Sequence, residues 1–491
     1  MKHLNNIEFE VKTQSKNGLI GGMMKETSYG KTENGADTFT RSGSQLLDFY
    51  AQAGAMRNSK EEALELFKKS FGEDNEKAIR ILFYLRDVRG GQGERDLFRI
   101  CLEWLGEEEK SVFEKIVNFV PEYGRFDDLF FDNDKCFSIL KTTLGIDGNS
   151  ETPSLLAKWL PTINASSSKT KAKAKWMAEK LGLTSIAYRK LVRDIRKKLA
   201  VVEEKMSAKK WEDINYSAVP SQASRIYKNA FKKHDEERYG KFIEKATKGE
   251  VKINASTLYP YQIYNSVNRD YSATLEALWN QLPDYTQGKN ALVVADVSGS
   301  MSGDPMSVSV SLALYFSERN KGQFKDYFIT FSGNPTLQKV VGKNLRDKMR
   351  NLEQANWTQN TDIQKVFELI LNTGKQNNVP LEEMPETIYI ISDMEFDEAT
   401  NDRWSGRMDK VTNFDAIKEK YSESGYKLPN IVFWNVNARG GNLPVQQNEN
   451  GVAMVSGFSP VIFKMAVENK TPEQVMLDTI NSERYNKIKL S

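Results

Sequence analysis

Apolar residues recur at three- and four-residue spacing through most of the first 285 positions, then give way to short unbroken apolar runs. The first pattern buries one face of a helix, and the second suits strands covered on both sides. Helical spacing is clear in Leu46-Leu47-Phe49-Tyr50, in the run from Ala78 to Leu85, and in Leu97, Ile100, Cys101, Trp104 and Leu105. Turn residues interrupt it at Gly90-Gly91-Gln92-Gly93, Pro121 to Gly124, Thr152-Pro153, Leu181-Gly182 and Val219-Pro220. Helix pairs separated by such turns predict an all-α, HEAT-like helical-repeat scaffold over residues 41–285, although the sequence carries no strict period. Residues 1–40 are rich in Gly, Asn, Lys and Thr without periodicity, which predicts a mobile arm or one irregular strand. Beyond residue 286, Ala291–Ala295, Asp326–Phe331, Thr387–Ile391, Pro429–Trp434 and Val452–Val455 read as strands. They alternate with helical stretches such as Ser307–Phe316 and Thr361–Leu371, and this alternation predicts a doubly wound, Rossmann-like α/β domain over 286–491. A multidomain chain also follows from length, because 491 residues exceed the roughly 250–300 that one core serves.

At the end of the first of these strands stands Asp296-Val297-Ser298-Gly299-Ser300. Alternate positions leaving a strand point to one side, so one carboxylate and two hydroxyls converge there. Hard oxygen donors of this kind suit Mg2+ or another divalent cation. A Ser/Gly turn capping the next helix is the plainer reading of the same residues. Doubly wound sheets bind ligands outside the carboxyl ends of their strands, and Asp393 falls on that edge with Thr361 on a neighbouring loop.

Imidazole chemistry has little to draw on, since the chain holds only His3 and His234. A Ser-His-Asp triad, a Cys-His dyad or a His-rich zinc site would have almost nothing to work with, and the expectation is a protein that is not an enzyme. Metal-assisted hydrolysis through Asp304, Glu395 and Asp397 is the competing reading, but helix capping and solvation account for those acids equally well. The two cysteines, Cys101 and Cys136, lie in helical apolar patterns and make no disulfide framework, which predicts a reducing, cytoplasmic setting. No apolar run reaches the ~20 residues a membrane helix needs, and Met1–Ile7 lacks the apolar core of a signal peptide. No membrane partner is expected.

Net charge is only +3, but its distribution is uneven. Lys169–Lys210 carries 14 Lys and Arg against 4 acids, a local excess of ten positive charges. Trp176, Tyr188 and Trp211 lie in or beside this window. Cationic helices with aromatics fit single-stranded or structured small RNA, with Lys171, Lys173, Lys175, Arg189, Lys190, Arg193, Arg196 and Lys197 as candidate contacts. A solvated helix surface with its aromatics turned inward is the equal alternative. Gly90-Gly91-Gln92-Gly93 follows a helix rather than a strand, so it reads as an interhelical turn and not a phosphate loop. Ion pairs among Arg86, Asp87, Arg89, Glu94 and Arg95 are expected across it.

The pattern Asp-x-Ser-x-Ser with a later Thr and Asp resembles the metal-ion-dependent adhesion site (MIDAS) of a von Willebrand factor A domain. The resemblance implies an ion bound by Ser298 and Ser300, by Thr361, and by Asp296 and Asp393 directly or through water, with a last position for a partner protein's carboxylate. Gln359-Asn360 stand where the family places glycines, so Thr358 is a rival for Thr361. A helical scaffold followed by such a domain resembles the TROVE architecture of the Ro ribonucleoprotein family. Closer still are the phrases Asn34-Gly35-Ala36, Phe83 to Arg95, Tyr123 to Asp128, Ala157-Lys158-Trp159, Val219 to Ser221, Leu312 to Arg319 and Ser392 to Asp397. They resemble a related family of unassigned function found in plants, fungi, bacteria, viruses and phages. The Ro resemblance implies an RNA-binding scaffold with a magnesium-dependent protein site. A protein–protein adaptor with no RNA function is the alternative.

Overall fold

The computed structural model describes residues 29–146, 155–199, 201–321, 323–331, 335–353, 362–397 and 412–490. Between Gln45 and Asn280 the described chain is helical, and neighbouring helices pack in sequence. Lys60–Glu73 lies against Asn75–Arg86 and Asp96–Glu108, Ser168–Lys180 against Ser185–Leu199, and Ser221–His234 against Glu236–Thr247. Local chemistry sets several boundaries. Asp74 caps Asn75–Arg86 by accepting the Lys77 N–H at 3.0 Å, and Gly145 closes Asp134–Leu144 in the left-handed region.

Six strands form the carboxyl-terminal sheet: β3 (Ala291–Ala295), β4 (Tyr327–Thr330), β5 (Leu337–Lys339), β6 (Thr387–Ser392), β7 (Asn430–Asn435) and β8 (Val452–Ser456). They follow β1 (Tyr29–Lys31) and β2 (Asp37–Phe39), an antiparallel pair near the amino end. The order is β5-β4-β3-β6-β7-β8, parallel throughout except for β5 at the edge. Strands β3 and β8 are buried at every residue, as a sheet covered on both faces requires. The connections reverse direction between β3 and β6, and the crevice at their carboxyl ends is where a doubly wound sheet binds ligands.

The two halves are more interleaved than a boundary at residue 285 suggests. Part of the arm expected over residues 1–40 is the β1–β2 pair, which bridges to the segments that follow β6 and β7 at Gly35–Asp397 and Phe39–Leu443. Helix Gln45–Gln52 covers β8, and the Gly54 N–H donates to Ser456 Oγ at 3.0 Å. Helix Pro260–Arg269 packs on Asp304–Arg319, and the carboxyl-terminal helix Pro472–Ile480 packs on the first helices.

The Gly90–Gly93 turn sits in this seam. A Cβ at Gly91 would overlap the Tyr84 carbonyl oxygen, so only glycine fits there. The ion pairs run outward rather than among the turn's own charges. Asp87 accepts from Arg484 and, at 2.8 Å, from the Tyr485 hydroxyl. Arg86 reaches Asp128 at 2.7 Å, and Arg57 reaches Glu94 at 2.9 Å. Fully buried Gln92 donates to the Tyr84 hydroxyl at 2.6 Å and accepts from the Ser459 N–H at 3.1 Å.

Candidate metal loop and basic helical face

Asp296 leaves β3 beside Ser392 of β6, because the register pairs Ala295 with Ile391 and the Asp296 N–H donates to the Ile391 carbonyl at 2.9 Å. Its carboxylate is fully buried. One oxygen accepts the Ser298 N–H at 2.9 Å and the other the Ser392 hydroxyl at 2.6 Å. The hydroxyls of Ser298 and Ser300 stand 2.9 Å apart, with Ser298 buried and Ser300 half-buried toward solvent. Asn437 anchors the loop from β7's far end by donating to the Ser300 carbonyl at 3.1 Å.

Asp393 completes the cluster. Its side chain is fully buried; Oδ1 accepts the Glu395 N–H at 3.2 Å, while Oδ2 has no hydrogen-bond donor and the Arg439 guanidinium stays 3.6 Å away. Burial and the neighbouring Asp393 carboxylate push the Asp296 carboxyl up to about 6, against the hydrogen bonds from Ser392 and Ser298. Two carboxylates thus crowd a pocket that holds too little positive charge.

The sheet edge therefore brings Asp296, Ser298, Ser300 and Asp393 together; Thr361 and its rival Thr358 lie outside the described residues. Among the described residues no three His, Cys, Asp or Glu side chains cluster as a metal site, so any ion here would depend on serine hydroxyls. The oxygen spacing suits a small hard ion: cis ligands of an octahedron with bonds of about 2.1 Å lie about 3 Å apart, close to the Ser298–Ser300 separation.

Several neighbours were not foreseen. Ser392 was hidden until the β3–β6 pairing was known, since only the register makes it the lateral neighbour of Asp296. Glu395 accepts the Glu33 N–H at 2.6 Å and the Asn442 amide at 2.8 Å, and Asn34 donates to the Glu395 carbonyl at 2.7 Å. Arg439 joins Glu33 at 2.6 Å to the rim of Asp393. Asn34-Gly35-Ala36 is thus the strand-pair loop that docks beside the site, and two of the sequence phrases explain each other. Asp304 opens its helix and lies 3.3 Å from the Asn265 amide, while the Asp397 carbonyl accepts from Asn413 at 3.0 Å.

In the basic window, Lys171, Lys175, Arg189, Lys190 and Lys197 are exposed, and no acidic side chain pairs with them among the described residues. Arg193 is exposed but paired with Asp194 at 2.9 Å. Lys173 lies over the Phe130 ring at 5.6 Å, where burial and nearby Arg99 lower its pKa. Arg196 points inward: its guanidinium donates to the carbonyls of Ala157 (2.8 Å) and Leu160 (2.6 Å) and to the Thr162 hydroxyl (2.9 Å). It is a structural tie rather than a surface contact, because helical spacing cannot show that unsatisfied carbonyls wait behind it. Of the aromatics, Tyr188 is buried and Trp176 half-buried against Phe137, while Trp211 stacks on His234.

The model of one domain of unknown function (DUF2828) matches residues 32–110 and 156–294, and that of a second (DUF7788) matches 290–489. The chain is similar to Uncharacterized protein L728 of Acanthamoeba polyphaga mimivirus, with 28% identity over 511 residues, 93% of this chain and 88% of that protein. Among solved structures, the RO (RSR) protein of Deinococcus radiodurans aligns with 88% of this chain and 93% of its own. Its TM-score of 0.33 and identity of 11% are too low to bear on the fold or the function. Among the described residues no helix is long and apolar enough to cross a membrane.

Proposed function

We propose that this protein is a non-enzymatic RNA-binding scaffold that also engages a protein partner through a divalent cation. The observation behind the first half is the exposed group Lys171, Lys175, Arg189, Lys190 and Lys197, none of which forms an ion pair with an acidic side chain among the described residues, although Asp194 lies near enough to act on Lys190 and Lys197. Cations so placed grip phosphates through counterion release, with little sequence dependence. Behind the second half stands the donor-free Oδ2 of buried Asp393 beside Asp296. Ser298 and Ser300 would hold the ion, with Asp296 and Asp393 balancing its charge, and Thr361 or Thr358 would complete the set. When bound, the ion supplies a Lewis-acid position for a carboxylate of the partner protein.

The deciding experiment titrates a labelled single-stranded RNA at two salt concentrations, with magnesium and with EDTA. Binding should weaken steeply with salt and be indifferent to EDTA. Reversing Lys171, Lys175, Arg189 and Lys190 to Glu should flatten the log–log salt slope by about 3, at about 0.7 per single-strand phosphate contact. Undiminished binding by that variant would sink the RNA reading. No binding in any condition would leave the protein adaptor, recognised by partners that come and go with magnesium.

A further inference from the structure

Asp393 Oδ2 is closed off from solvent, so a cation reaches it only if a neighbour moves. The group placed to move is Arg439, whose guanidinium stands 3.6 Å from that oxygen while 38% of its side chain faces solvent. Its backbone is fixed on either side. The Ala438 N–H donates to the Ala55 carbonyl at 3.3 Å, a Cβ at Gly440 would lie 2.6 Å from Glu395 Oε1, and Asn442 donates to that same oxygen at 2.8 Å. Arg439 therefore leaves the crevice by turning its side chain.

The same guanidinium nitrogen is claimed from the other side. It donates to Glu33 Oε2 at 2.6 Å, a charge-assisted hydrogen bond, whereas 3.6 Å to Asp393 is too long for one. The loop between β1 and β2 holds Glu33 in place. The Glu33 N–H donates to Glu395 Oε2 at 2.6 Å, Asn34 to the Glu395 carbonyl at 2.7 Å, and the Thr32 hydroxyl to the Phe396 carbonyl at 2.7 Å. One guanidinium thus hangs between a loop carboxylate and a buried crevice carboxylate, nearer the loop. We infer that Arg439 is a built-in counter-cation, a latch that covers the crevice when no metal is bound and that Glu33 draws aside when a divalent cation enters. The inference rests on the divalent-cation reading and adds a regulator to it. Metal and guanidinium repel each other and compete for one oxygen, so the loop carboxylate sets how readily the site opens. Displacing the loop would return Arg439 to Asp393 and shut the site.

The test titrates the full chain with Mn2+, an ion of the same ligand preference as Mg2+, and follows the spin-resonance signal of the free ion. Binding that survives Asp296→Asn is subtracted. Arg439→Gln should bind Mn2+ about tenfold more tightly, because the competing charge is gone, and Glu33→Gln about tenfold more weakly, because Arg439 then closes on Asp393. Added to Arg439→Gln, the Glu33 substitution should change affinity less than about twofold, since a latch couples the two residues. A Glu33→Gln loss of equal size in both backgrounds would be a plain through-space charge effect and would overturn the latch. Arg439→Lys keeps the charge and should not tighten binding; a gain equal to that of Arg439→Gln would overturn the latch as well. Unchanged or weaker binding by a folded Arg439→Gln would do the same and leave the cation site standing. Failure of the unmutated protein and every variant to bind Mn2+ would bring down both readings.

Discussion

Two pairs of buried carboxylates in this chain meet opposite fates. Asp87 lies at the seam between the helices and the carboxyl-terminal segment, Asp128 lies behind it within the helical half, and cations or hydroxyls surround both. Arg484 and Tyr485 donate to Asp87. Arg86, Arg99 and the Arg125 N–H donate to Asp128 at 2.7 to 2.9 Å. Asp296 and Asp393, at the carboxyl edge of the sheet, share only hydroxyls, backbone N–H groups and one guanidinium 3.6 Å away. The first pair is complete as built, and Asp87 ties the halves together. Burial without compensation raises the Asp296 carboxyl and leaves Asp393 Oδ2 without a donor, an arrangement that the proposed cation would complete.

Removing one member from each pair separates them most sharply. Asp128→Ala strands the buried Arg86 guanidinium and should cost about 3–5 kcal/mol in urea unfolding, the usual loss when half of a buried pair is deleted. A loss below about 1 kcal/mol would mean the Arg86–Asp128 pair is far more solvated than its geometry indicates. Gly91→Ala forces a methyl into the Tyr84 carbonyl and should cost about 1–3 kcal/mol, read as a lower melting temperature. The open pair should respond to metal instead. Magnesium at a hundred times its dissociation constant should stabilise the unmutated protein by about 2.7 kcal/mol. A melting temperature that ignores magnesium up to tens of millimolar would mean the carboxylates tolerate each other without an ion.

How much of this was legible follows from which forces act locally. The strand and helix alternation after residue 286 was legible because each buried strand reads as an unbroken apolar run. Asp296, Ser298 and Ser300 were legible because their alternation lies within five residues, and Asp393 because it ends another such run. Ser392, Asn437 and Arg439 join them only through sheet register and loop packing, which no local pattern encodes. The docking of the β1–β2 pair depends on side-chain and backbone hydrogen bonds across more than 360 residues, so a polar, aperiodic segment gave no hint of it. Arg196 shows the reverse error: its charge was visible, but the carbonyls that claim it were not.

The smallest expected effect tests the open pair from the other side. Asp296→Asn keeps the side chain's shape and removes one of the two charges that repel each other across the crevice. In EDTA this variant should melt at or slightly above the unmutated protein, a gain of about 1 kcal/mol or less, because relief of repulsion is partly offset by a poorer acceptor for Ser392. In saturating magnesium the order should reverse, since the variant forgoes the ion's contribution while the unmutated protein receives it. A crossing of the two curves with metal distinguishes a ligand from a structural carboxylate: Asp128→Asn should melt lower than the unmutated protein in both conditions by the same margin. If Asp296→Asn also lowers stability equally with and without magnesium, its hydrogen bonds to Ser298 and Ser392 are its whole role, and the loop is a turn that caps its helix.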